Sequence, residues 1–285
     1  MDFIVNQTFN SLSYAALLFL LGGGMTLIFG VMKIVNIAQG SFYLVGGYIG
    51  YIIVRHVGNF YLALLMASVL VGFLGMVLER FLIRGLEGQD LRQMLMTMGI
   101  SVFIADSLLV VFGGYPLSLD PPNFCLASLE VGGYYFHVLR IFMIGAAALV
   151  FLILWWFENK TKAGAVLRAS VDNKEMAQGL GINVRFVSMA VFGLGAMLAA
   201  FGGVIGCAVT AIYPGVDFEV LPLIFVVVII GGMGSLKGSV VGSIVVGFLD
   251  SFGKGLVPEL SYFTLFVPMA IVLAIKPTGL FSREP

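Results

Sequence analysis

Apolar residues fall along this chain in long unbroken blocks, and polar residues gather between the blocks rather than alternating within them. The first block runs from about Leu12 to Met32 and carries Gly22-Gly23-Gly24, which reads as an interruption. The next blocks are about Ser41–Val54, Tyr61–Leu78, Leu95–Phe112 and Ile141–Phe157, the last ending in Trp155 and Trp156, a usual interfacial pair. After a polar stretch come Phe186–Ile212, a short block Leu221–Ile230, then Ser239–Phe252 and Tyr262–Ile275. Blocks this long and this apolar predict membrane-spanning helices. The expected fold is an all-α polytopic transmembrane helix bundle of about 8–9 spans with glycine-broken helices, forming a single domain over residues 1–285. Leu221–Ile230 is short for a span of about 20 residues. Nine crossings, or eight with a re-entrant segment near Gly231, both fit.

The longest polar interruption is Glu158–Arg185, with Lys160, Lys162, Arg168, Lys174 and Arg185 set against Glu158, Asp172 and Glu175. On a helical wheel Ala165, Val166, Ala169, Met176, Ala177 and Leu180 share one face, with Arg168, Asp172 and Glu175 beside it. Asp172 and Glu175 have the spacing of an N-cap and its third-position partner, so two short helices meeting near Asp172 are expected. Gly179 and Gly181 supply the stop.

Charge then orients the chain. With the 158–185 stretch placed in the cytoplasm and the blocks alternating outward, 12 of the 15 basic residues fall inside, Arg283 among them. Only Arg55, Arg140 and Lys254 fall outside. The N-terminus is then outside and the C-terminus inside. The chain is 60% hydrophobic and 11% charged with mean hydropathy +1.07, which points to an integral membrane protein and away from nucleic-acid binding. Met1-Asp2-Phe3 lacks a positive leader segment, so the first block is expected to be retained as a span. Cys125 and Cys207 suit packing, His56 and His137 stand alone, and no metal site or cofactor is expected.

Two regions look alike: Met25–Gly50 and Val226–Phe248 each pair glycine-rich apolar arms around a short polar turn. Glycine in a span serves close helix packing, the reading taken for Gly193, Gly195, Gly202, Gly203 and Gly206. Beside polar groups it can instead mark broken backbone around a cavity, the reading taken for Gly23, Gly24, Asn36, Gln39 and Gly40. Asp106 and Asp250 are carboxylates within apolar blocks; each is a functional candidate, or caps a helix end or pairs with a neighbouring chain. Gly231–Ser239 is not a phosphate loop, because its lysine precedes glycine and its flanks are apolar blocks.

Three stretches carry a family resemblance. Ala169–Asn183, ASVDNKEMAQGLGIN, resembles the cytoplasmic coupling segment of permeases of the branched-chain amino-acid ABC importer family, of the H-type membrane subunit. Gly30–Gly47, with its core Asn36-Ile37-Ala38-Gln39-Gly40, resembles the same family's first-to-second-span signature, with Gln39 where the resemblance leads one to expect histidine. GGMGSLKG with Val240-Val241-Gly242 resembles its late signature. The resemblance implies a transmembrane permease subunit of a bacterial ABC importer, moving branched-chain amino acids or related small polar solutes by alternating access. It implies as partners a second related permease subunit, two cytoplasmic ABC ATPase subunits, a periplasmic substrate-binding protein and the lipid bilayer of the inner membrane. The chain has no Walker motif, so it is not expected to be an enzyme itself. The ATPase-coupling residues implied are Ala165, Arg168, Ala169, Asp172, Asn173, Glu175, Met176, Ala177, Leu180 and Gly181; the expected translocation path takes in Gly23, Gly24, Asn36, Gln39, Gly40 and Asp106. The competing reading is an ion- or proton-coupled secondary transporter using Asp106. A membrane scaffold would have no use for a cavity.

Overall fold

A computed structural model describes residues 2–122, 125, 128–131, 134–256, 258–276 and 279–281. Five helices come first: α1 (Asp2–Met32), α2 (Gln39–Val57), α3 (Phe60–Leu78), α4 (Asp90–Phe112) and α5 (Val138–Lys160). Two short ones follow, α6 (Lys162–Asp172) and α7 (Lys174–Gly179). The chain then closes with α8 (Val184–Thr210), α9 (Val216–Gly231), α10 (Leu236–Leu256) and α11 (Ser261–Ile275). All nine apolar blocks fall on helices, so the all-α polytopic bundle is as expected. Among the described residues, six helices are long and apolar enough to cross a membrane. Among the described residues the sheet content is one antiparallel hairpin, β1 (Ser128–Val131) with β2 (Tyr134–His137), in the α4–α5 connection. Arg283 lies outside the described residues.

Layering follows from burial. In α1 and α8 the most apolar stretches are 83% and 78% buried, against 22% in α4 and 17% in α5, so α1 and α8 form the centre and α4 and α5 the flank. Small residues let the central helices approach to backbone contact. Gly46 of α2 lies against the Ala200 backbone and Gly203 of α8 against the Tyr43 carbonyl. Gly72 and Gly75 of α3 meet Gly193 and Ala196, and Gly247 of α10 meets Ala15. Larger side chains fill what remains: the rings of Phe42 and Phe192 meet edge to face with centroids 5.8 Å apart.

One expectation is corrected. Gly22-Gly23-Gly24 does not break α1, which runs unbroken through it. In an apolar surround a helix keeps its backbone hydrogen bonds internal, and these glycines serve contact instead: a Cβ on Gly22 would stand 2.7 Å from Val227 Cγ1. The interruptions come elsewhere, after α1 and after α8. The geometry that recurs is accordingly α1–α2 with α8–α9, a different pairing from the compositional likeness of Met25–Gly50 to Val226–Phe248.

Replacing Gly46 by Val should therefore cost about 3 kcal/mol or more, since the new side chain meets backbone that cannot yield. Gly99→Ala, where nothing lies within 4 Å, should leave stability level or raise it. Melting in detergent checks both: equal melting for the two variants would contradict this packing.

Candidate functional site

Both long central helices end on a non-glycine residue with left-handed backbone, Lys33 (φ 58°) after α1 and Ala211 (φ 61°) after α8. That conformation is costly for a side-chain-bearing residue and turns the chain sharply. A short non-helical segment follows each, and the next helix starts inside the bundle rather than at its rim. Gln39 and Gly40 of α2 and Asp217 of α9 are all buried.

A helix starting in the interior exposes N–H groups that water cannot reach, so side chains must satisfy them. Asn36 Oδ1 accepts from the Ala38 N–H at 3.2 Å, and Thr97 Oγ1 of α4 accepts from the Ile37 N–H at 3.2 Å. The Gln39 amide nitrogen donates to the Leu21 carbonyl of α1 (3.2 Å) and the Gly195 carbonyl of α8 (3.1 Å). Its oxygen accepts from Asn36 Nδ2 at 3.4 Å. Glutamine is suited to this position, because one primary amide supplies two donors and an acceptor together. Gly24 completes the contact: a Cβ there would stand 2.7 Å from both Gln39 Nε2 and the Gly195 carbonyl.

The starts of α2 and α9 touch. Gly40 packs on the Asp217 backbone, with 2.5 Å left between an added Cβ and the Asp217 carbonyl. Ser41 Oγ donates to Asp217 Oδ2 at 3.1 Å and lies 2.7 Å from Ser101 Oγ of α4. Sequence reasoning missed Asp217, Thr97 and Ser101. Asp217 lies in a break before an apolar block, where it reads as loop. Its signal was Gly215 two residues earlier, an acid in the first turn of a helix being favourable.

Four of the six path candidates, Gly24, Asn36, Gln39 and Gly40, thus come together. Gly23 is buried in α1 beside the Phe19 ring of its own helix. Asp106 lies on α4 with its side chain exposed in the single chain. Asp250 is buried in α10 and ion-paired within its own helix to Lys254, four residues on, at 2.7 Å. Lys254 also lies over the Tyr14 ring.

The 158–185 stretch forms two helices meeting where expected, with one residue's shift in the cap. Asn173, not Asp172, caps α7: its backbone is extended and its Oδ1 accepts from Met176 N–H at 2.9 Å. That kink divides the wheel into two. The inward face of α6 is Gly164, Leu167 and Ser170, with Leu167 packed on Val31 and Val191, while Ala165 is exposed and Arg168 and Ala169 are half-buried. Ala177 of α7 is buried. Asp172, Glu175 and Gly181 are exposed, and Met176 and Leu180 are 65% and 76% exposed, which leaves an apolar tip uncovered. Thr161 caps α6, and the Arg168 guanidinium donates to the Glu158 carbonyl, so the pair is held rigidly to the end of α5.

Gln39→Leu should lower stability by about 1–3 kcal/mol, because three buried polar partners lose their bonds together. Ser41→Ala should cost less. Equal melting of Gln39→Leu and the parent chain would contradict the role given to that amide.

Comparison with known proteins bears on this arrangement. The sequence model of a family described as branched-chain amino acid transport system / permease component matches residues 7–275. The high-affinity branched-chain amino acid transport system permease protein BraD of Pseudomonas aeruginosa is 26% identical over 98% of this chain and 96% of its own length. The corresponding LivH permease of Escherichia coli is 25% identical over 99% of this chain and 96% of its own. A probable branched-chain amino acid transport permease protein of Methanocaldococcus jannaschii is 26% identical over 94% of this chain and 89% of its own. With the family match running from the first turns of α1 to the end of α11, the chain belongs to the branched-chain amino acid transport system permease component family.

Proposed function

We propose that this chain is the membrane-spanning subunit of an ABC importer for branched-chain amino acids or related small polar solutes. On this reading it crosses the cytoplasmic membrane nine times, with the C-terminus inside. A second related permease completes the path, two cytoplasmic ATPases supply the energy, and a periplasmic binding protein delivers the solute. The observation that carries the reading is the rigid α6–α7 pair with Met176 and Leu180 uncovered at its tip, beside connections that hold most of the basic residues. An exposed apolar tip on a charged segment suits insertion into a groove of a soluble partner.

Transport follows by alternating access. ATPase closure pushes α6–α7; Leu167 against Val31 and Val191 passes the push to α1 and α8. Those are the helices from which the Gln39 amide suspends α2, and with it the meeting point of α2 and α9. Residues Gly24, Asn36, Gln39, Gly40 and Ser41, with Asp217, lie on or beside the path in this account. The secondary-transporter alternative is less favoured, since the Asp106 side chain is exposed in the single chain.

Met176→Glu together with Leu180→Glu should abolish ATP-driven leucine uptake, by tenfold or more at about 1.4 kcal/mol per decade of ATPase affinity. Expression and melting should be unchanged, because both side chains are exposed. Glu175→Lys should leave ATP hydrolysis running while uptake falls. Normal uptake by both variants at normal expression would refute the docking role.

A further inference from the structure

The ion pairs at the cytoplasmic end include a group that the coupling account above does not use. α3 does not stop at Leu78: it widens into a π-helical turn over Glu79–Ile83 and then tightens into a 3-10 turn over Arg84–Leu86 before α4 begins. Such turns in a helix are common at functional positions. Here the π turn carries Glu79, whose side chain is only 2% exposed, into the bundle. A carboxylate so enclosed requires a partner, and Arg84 supplies it through Nη2 at 2.8 Å and Nε at 3.4 Å. The same guanidinium reaches across to the Arg185 carbonyl at the start of α8, 3.3 Å away. One turn further on, Glu87 pairs with Lys174 in the first turn of α7. Gln93 of α4 donates to the Ile83 carbonyl at 3.4 Å, closing the turn onto the next helix.

The α3–α4 connection is therefore bonded at one point to the coupling helix and at another to the start of α8. Both bonds leave from the same short turn. A displacement of α7 moves Glu87 with Lys174, and Arg84 cannot yield independently without leaving Glu79 buried and unpaired. We infer that residues 79–87 are a second arm of the coupling device, carrying the push on α7 into α3 and α4, with Lys174–Glu87 as its input and Arg84 as its positioning residue. This rests on the importer reading and extends it from the central helices to the flank of the bundle.

The input pair is exposed on both sides, 42% and 40%, so its charges can be altered without disturbing the fold. The experiment uses the assembled importer, permease pair with ATPases and binding protein, in proteoliposomes with labelled leucine. Its readout is ATP hydrolysed per leucine moved, a ratio that a merely structural role would leave constant. Lys174→Glu and Glu87→Lys should each raise the ratio about fivefold or more, the range of a coupling lost between two sites. The double exchange, which restores an opposite-charge pair, should return it toward the parent value. Arg84→Lys, which keeps the charge and loses the planar fork, should raise it as well. An unchanged ratio in both single variants, or no recovery in the double exchange, overturns the inference while leaving the importer reading in place. Leucine uptake by the parent complex without ATP would overturn that reading and the inference with it.

Discussion

One side-chain amide sets the terms for this fold. Gln39 donates to a carbonyl of α1 and a carbonyl of α8, and so ties the start of α2 to both central helices in the middle of the bundle, where its own amide would otherwise be buried without partners. Everything near it is shaped by that suspension. Gly24 gives up its side chain to admit the amide and the Gly195 carbonyl, and Asn36 and Thr97 satisfy the two N–H groups just before the helix. α9 then starts against α2, with Gly40 bare so that the Asp217 backbone can rest on it. The result is a polar point enclosed by two interrupted helices, within a bundle otherwise held by small residues in backbone contact.

That point connects to the α6–α7 end of the bundle through α1 and α8. The short pair α6–α7 is fastened to α5 by the Thr161 cap and the Arg168–Glu158 bond, and to α1 and α8 by Leu167. Force on its exposed tip has few soft places in which to dissipate, since the elements are rigid and the contacts between them are tight. The Glu79–Arg84 turn adds a lateral connection of the same kind.

Much of this was legible in the sequence, and the misses share a cause. Apolar blocks of span length gave every long helix, because in a membrane the number of consecutive apolar residues is itself the signal. The joint between α6 and α7 was legible within one residue, with Asn173 taking the cap that the spacing gave to Asp172. The Asn36–Gly40 core was legible as a break because Asn and Gln so close together are costly in an apolar run unless satisfied. What the sequence concealed was depth and facing. Gly22–Gly24 looked like a break, although glycine serves a continuous helix at a crossing as readily as it serves a kink. Asp106 sits within an apolar block, and its side chain is exposed in the single chain. Asp217 looked like loop, although its helix starts deep in the bundle. For Gly24 and Asp217 the deciding contact comes from a helix distant in sequence: Gly195 for the one and Ser41 for the other.

The measurement that tests the account most directly is labelled leucine uptake by vesicles containing the chain with its ATPase and binding-protein partners, with ATP supplied inside or withheld. The account predicts uptake that requires ATP, vanishes when the ATPase Walker lysine is replaced, and persists in the presence of a proton uncoupler. Uptake that survives the dead ATPase and collapses with the uncoupler would contradict it, and would leave the α6–α7 pair without the role proposed for it.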